Sequence, residues 1–208
     1  MSLLTKTWSR RQALVMGAGS LAGLVAAPAI LRAEAPYKRK LNMQSLNSGE
    51  KLSITYWADG DYIPDALKSI NWFMRDLRSN DQTAMSPNLL DLLWEIDQLS
   101  PSSRPLYTMS GYRTPRTNAL LASTSEGVDG NSFHMRGMAM DLTQDFSDPG
   151  MLYKIAGKLG KGGAGYYPIK HPFVHVDVGP VDTWVAPQLG RPNRAAEYDA
   201  AKAEEKKG

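Results

Sequence analysis

The seven residues Phe173-Val174-His175-Val176-Asp177-Val178-Gly179 restrict the fold more than any other stretch of the chain. Valine at every second position marks an extended strand, whose side chains point alternately to opposite faces. The valines can enter a core while Phe173, His175 and Asp177 share the other face. His175 and Asp177 then stand about 6.6 Å apart along the strand. Such a strand needs a sheet covered on one side and open on the other.

A second segment supplies partners for that open face. Asn131-Ser132-Phe133-His134-Met135-Arg136-Gly137-Met138-Ala139-Met140-Asp141 has the form S-x-H-x-x-G-x-A-x-D. The chain has 3 histidines, and two of them lie in these two segments. Neutral imidazole nitrogen and carboxylate oxygen are standard zinc donors, and three protein ligands plus water make an open, catalytic site. Gly137 and Ala139 keep bulk low between the two donors, which helps a bent backbone bring them together. Taken alone, a His among valines is more often a core histidine bonded to a carbonyl. Taken together, the segments make His134, Asp141 and His175 a candidate ligand set, with Asp177 beside it.

At these residues the chain resembles the LAS metallopeptidases, named for lysostaphin, D-Ala-D-Ala peptidases and the hedgehog signalling domain. Within that family it is most similar to the exported bacterial murein endopeptidases. The resemblance runs from about Arg39 to Trp184. It passes through Ser110-Gly111-Tyr112-Arg113-Thr114, Thr117-Asn118 and Gly162-Gly163-Ala164-Gly165-Tyr166-Tyr167-Pro168 as well as the two metal segments. It implies that His134, Asp141 and His175 hold one zinc per chain, that Arg113 lies in the site, and that the substrate is peptidoglycan. One position departs from the pattern. Relatives that act as D-Ala-D-Ala dipeptidases carry a Glu three residues before the last His ligand, where this chain has Pro172. Asp177 is the preferred general base, because it shares a face with His175; His171 is the rival.

Length and composition set the outer limits. After removal of a leader and a tail, the 208 residues make one domain large enough to hold a core without staples. A net charge of +3 with no nucleic-acid motif gives no reason to expect a nucleic-acid partner. The absence of cysteine excludes disulfides and thiolate metal sites. Residues 1–33 read as a targeting segment: Ser9-Arg10-Arg11-Gln12-Ala13-Leu14-Val15 is a twin-arginine pattern before an apolar run. Ala27-Pro28-Ala29 is one cleavage candidate, and an uncleaved membrane anchor is the alternative. The expected compartment is the periplasm, with membrane contact only during export unless the segment stays attached.

Between the ends, residues 38–188 are expected to form the peptidase domain as a monomer. Residues 40–46 and 51–57 read as a hairpin around Asn47-Ser48-Gly49-Glu50. Apolar residues at helical spacing predict helices over 66–79 and 88–99, the second opened by Ser86-Pro87. A short strand at 105–110 leads into Gly111-Tyr112-Arg113-Thr114-Pro115, where Thr114 can cap a helix running to 123. From residue type alone Arg113 is a solvated surface arginine; the resemblance reverses that order and makes it a substrate or oxyanion contact. Ser132 and Asn118 are further candidates for substrate contact, Ser132 also for orienting a ligand. The predicted metal strand ends at Leu142-Thr143, and 151–159 predicts a helix. Gly160 to Gly165 lacks the setting of a phosphate loop and reads as a tight turn beside the groove. Residues 189–208 are charged, poor in large apolar groups, and expected to be a flexible tail.

The expected fold is α+β: a small, mostly antiparallel sheet flanked by helices, similar to the hedgehog and D-Ala-D-Ala-peptidase domains, with the metal on the open face. The expected activity is zinc-dependent hydrolysis of amide bonds in peptidoglycan cross-links. A D,D- or L,D-carboxypeptidase, or a zinc-stabilised wall-binding domain without catalysis, are the alternatives.

Overall fold

The structure, a computed structural model, describes residues 37–124, 128–145, 148, 150–186 and 194–207. The targeting segment at 1–33 lies outside the described residues, as do 189–193 of the tail. Among the described residues no helix is long and apolar enough to cross a membrane.

The hairpin forms as its turn chemistry predicts, from β1 (Lys38–Ser45) and β2 (Lys51–Ala58), with the short β3 (Asp61–Tyr62) beside β2. The other strands are β4 (Leu106–Ser110), β5 (Ala139–Thr143), β6 (Gly163–Tyr167), β7 (Phe173–Asp177) and β8 (Asp182–Val185). They join one sheet in the order β3-β2-β1-β4-β5-β7-β6-β8. Only β1–β4 and β6–β8 are parallel, so the sheet is mostly antiparallel and the fold is α+β.

One face of this sheet is the core. Leu41, Met43, Leu106, Met140, Leu142, Val174 and Val176 point into it and are at most 1% exposed. Helices α1 (Pro64–Phe73), α2 (Pro87–Leu99) and α4 (Met151–Leu159) cover them with Ile70, Leu89, Leu93, Ile96 and Leu152. Each such side chain contributes about 1.5–3 kcal/mol by leaving water, before the cost of ordering the chain. The opposite face carries Ser110, Asp141, His175 and Asp177, as the alternation of β7 requires. Helix α3 (Pro115–Thr124) starts where predicted, with Thr114 Oγ1 accepting the Thr117 N–H at 3.2 Å.

Three expectations need correction. Helix α1 stops at Phe73, six residues before residue 79, because the chain turns inward there. The Met74 carbonyl accepts the Tyr112 N–H at 2.8 Å, and Asp76 is buried. Ser86 occupies the N-cap of α2, but its side chain makes no capping bond. The charged tail is not structureless: α5 (Arg194–Glu205) is a helix with Arg194 and Ala195 buried at its start. Composition pointed to solvent, yet Ala195 packs with Phe133 and Ala139, and the Tyr198 ring meets Phe133 edge-on at 5.7 Å.

Candidate metal centre

The sheet register assembles the site. Asp141 on β5 lies opposite Ser110 on β4 and His175 on β7, and His175 lies opposite Gly165 on β6. One row across four strands therefore carries a hydroxyl, a carboxylate, an imidazole and a gap. His134 reaches the row from a different kind of element. Ser132 Oγ accepts the His134 N–H at 3.3 Å and starts a 3-10 turn, Phe133–Arg136. Gly137 ends that turn with φ 64°. A Cβ there would sit 2.6 Å from the Ala84 carbonyl oxygen, so both the conformation and the space call for glycine. The sequence placed a metal strand here; the structure divides it into a turn bearing His134 and a strand bearing Asp141.

The donor atoms meet at one point. His134 Nε2 lies 3.2 Å from Asp141 Oδ1 and 3.2 Å from His175 Nδ1, and those two lie 2.9 Å apart. Among the described residues these three form the cluster able to hold a metal ion. Tetrahedral donors at about 2.0–2.1 Å from zinc stand about 3.3 Å from one another, so the spacing fits. The outward nitrogens suit the cluster to a cation. His134 Nδ1 donates to the Gly111 carbonyl at 2.7 Å, and His175 Nε2 donates to Asp177 Oδ2 at 3.1 Å. With both protons directed away, two lone pairs and a carboxylate face each other, which repels unless a cation sits among them.

The ionisation of these groups reflects that conflict. Burial, followed by the nearby Arg113, lowers His134 to about 4. Burial also opposes charge on His175, but its bonds to Asp141 and Asp177 outweigh it and raise its pKa. Burial pushes Asp141 up, while His134 and Arg113 pull it further down and hold it ionised.

A corner between β4 and α3 grips the same site. Arg113 Nη2 binds the outer oxygen Oδ2 of Asp141, and its Nε donates to Ser110 Oγ at 2.8 Å. The Arg113 N–H donates to the His134 carbonyl at 3.2 Å. Asp76 anchors the corner from below: its Oδ2 accepts the Thr114 N–H and hydroxyl, both at 2.9 Å. Burial raises the Asp76 pKa, and the bonds from Thr117, Thr114 and Arg78 together lower it below the ordinary value. No sequence signal marked Asp76, which was placed on a helix. Arg113 also lines a cleft with Arg75, Arg78, Ser110 and Tyr112.

Two sequence assignments change. Asp177 is not placed to be a base. It is fully buried, and its Oδ1 accepts the N–H groups of Gly163 at 3.2 Å and Gly179 at 2.8 Å. Its Oδ2 meets His175 and Arg194. Burial raises its pKa, but the bond and charge of His175 and then Arg194 hold it far below the usual carboxylate range. Both oxygens of this carboxylate are engaged, and Oδ2 faces the His175 Nε2–H. Asn118 is 1% exposed and donates to the Asp129 carbonyl at 2.9 Å, which braces the loop before the His134 turn. His171 is exposed in the loop before β7, outside the donor cluster. Ser132 lies at the start of the His134 turn, and Arg113 lies against Asp141.

Comparison with known proteins agrees with this geometry. The family described as peptidoglycan L,D-endopeptidase MepK matches residues 33–184. The peptidoglycan L,D-endopeptidase MepK of Escherichia coli strain K12 is 34% identical over 177 residues, covering 85% of this chain and 97% of the relative. The probable peptidoglycan L,D-endopeptidase MepK of Haemophilus influenzae is 38% identical over 154 residues, or 72% of this chain and 80% of the relative. With a match over most of its length, two such relatives and a His-Asp-His cluster at one point of the sheet, the chain belongs to the MepK family of peptidoglycan L,D-endopeptidases.

Proposed function

We propose that the chain is a zinc-dependent murein endopeptidase that cuts L,D amide bonds in peptidoglycan cross-links, in the periplasm. The observation that carries this reading is the convergence of three donor lone pairs with both imidazole protons directed outward. The names of the relatives supply the substrate and the bond type. His134 Nε2, His175 Nδ1 and Asp141 Oδ1 would hold the metal. Bound there, zinc supplies a Lewis acid for the scissile carbonyl and brings the pKa of its water towards about 7.

The chain's own groups do the rest. Arg113 spends its Nε and Nη2 on Ser110 and Asp141, and among the described residues no hydrogen bond holds its Nη1. That N–H pair can meet a substrate carboxylate, or the carbonyl oxygen as it gains charge, at the cleft edge. Ser132 fixes the turn that presents His134. Arg10 and Arg11 before the apolar run support export by the twin-arginine route.

Mass analysis of muropeptides tests the reading. Sacculi treated with zinc-loaded protein should release cross-links opened at an L,D bond, while metal-stripped protein and His175→Ala should leave them intact. Release of single terminal D-amino acids instead would assign a carboxypeptidase. Unaltered sacculi with zinc bound would assign a binding domain.

A further inference from the structure

The family match ends at residue 184, and α5 lies beyond it. Arg194, the first residue of α5, is nonetheless buried against the outer side of the metal cluster. Its Nη1 binds Asp177 Oδ2, and its Nη2 binds Asp177 Oδ1 at 3.2 Å and the Pro180 carbonyl. Its guanidinium carbon lies 5.2 Å from the Trp184 ring centroid and 5.6 Å from that of Phe133. The strand opposite leaves room for it: a Cβ on Gly163 would overlap both guanidinium nitrogens and Asp177 Oδ2.

The contact forms a chain of orientation. A two-pronged arginine fixes the plane of a carboxylate more firmly than a point charge does. Here that plane sets Oδ2 against His175 Nε2, which keeps Nδ1 free of a proton and aimed at His134 and Asp141. Without Arg194, Oδ2 keeps only His175 as a partner among the described residues, and the carboxylate can rotate about its two remaining backbone bonds at Oδ1. The same helix reaches the other histidine's turn. Tyr198 packs on Phe133, and Asp199 Oδ2 accepts from Arg136 Nη2 at 2.7 Å, on either side of His134. An appended helix held only for packing would need none of the buried pairing at Asp177.

We propose that Arg194 is a positioning residue of the metal centre, acting on His175 through Asp177, so that the C-terminal helix completes the site. The inference rests on reading His134, Asp141 and His175 as the zinc ligands.

Zinc dissociation constants from chelator competition test it, on the full-length mature protein with melting temperatures recorded alongside. Outer-shell changes of this kind weaken metal binding about 10–100-fold, and Arg194→Gln should fall in that range. Arg194→Lys, which keeps charge but loses the fork, should fall between it and wild type, and it carries the test if the Gln variant does not fold. The double variant with Asp177→Asn should bind no more weakly than Asp177→Asn alone, because both act through one carboxylate. Lys202→Gln, which removes the exposed α5 pair with Glu205, should leave zinc affinity unchanged. Wild-type affinity in both Arg194 variants overturns the proposal, as does full additivity in the double variant. Wild-type protein that binds no zinc overturns the metal assignment itself.

Discussion

Replacing Asp177 with Asn separates the two roles this residue has been given. The side chain is fully buried between His175, Arg194 and two backbone N–H groups. An amide of the same shape can still accept from Gly163 and Gly179 through its oxygen. Its NH2 then faces two other donors, the Arg194 guanidinium and His175 Nε2–H. One consequence concerns stability. Removing one partner of a buried ion pair typically costs about 3–5 kcal/mol, within the roughly 5–15 kcal/mol that holds a domain together, so the variant should fold with a lower Tm.

The other consequence concerns the tautomer. His175 can satisfy the new NH2 only by accepting through Nε2, which moves its proton to Nδ1, the atom aimed at the metal. Zinc affinity should therefore fall about 10–100-fold together with turnover. The assay is chelator competition and muropeptide release on the same preparation, with His171→Ala as a control that should keep its metal. A variant with wild-type zinc affinity whose turnover alone drops about 10²–10⁴-fold would falsify the orienting role and restore Asp177 as the base.

Two further outcomes are expected. Stability of the metal-free protein should peak near pH 6.5, in urea titrations across pH. Towards acid, the unfolded chain takes the proton that His134, lowered to about 4, refuses, so stability falls from 6.5 to about 4. Towards alkali, the stability linked to the raised His175 is lost as pH climbs through its folded pKa, and zinc should remove that limb by replacing the proton. Exchange of both Arg10 and Arg11 for Lys should trap the precursor in the cytoplasm, read by cell fractionation; normal periplasmic accumulation would point to the general secretory route.

What the sequence disclosed and what it withheld follow from the range of each signal. The faces of β7 were legible because a period of two decides them locally: Val174 and Val176 are buried, and His175 and Asp177 share the other side. The Thr114 cap was legible because its partner is three residues away. For Asp177, alternation tells which face the side chain takes, not what else arrives there; Arg194 comes from 17 residues later. Asp76 and Asn118 were missed or misplaced for the same reason. Their partners at Thr114 and Asp129 depend on how two corners fold back on each other.

The glycines between 160 and 165 carry the last prediction. They read as a tight turn, yet Gly163 and Gly165 lie inside β6, on the face that carries the metal row. Their missing side chains are filled from elsewhere. Gly163 admits the Arg194 guanidinium, and Gly165 admits the Trp184 ring, whose atoms a Cβ would overlap. Trp184 lies across the strand with its ring centroid 5.5 Å from that of His175, so it walls the imidazole laterally. Gly165→Ala must push out a ring that is 5% exposed, in a strand whose neighbours are hydrogen-bonded on both sides. Such overpacking typically costs about 1–3 kcal/mol, although alanine is otherwise the better strand residue. Melting temperature should drop, and zinc affinity should fall with it as His175 loses its wall. Gly160→Ala serves as the comparison. That glycine has φ 61° but open space around its Cβ, so its variant should lose some stability from strain and keep its zinc affinity. If Gly165→Ala melts with the wild type and binds zinc as tightly, the ring is not held against His175 by the gap in β6.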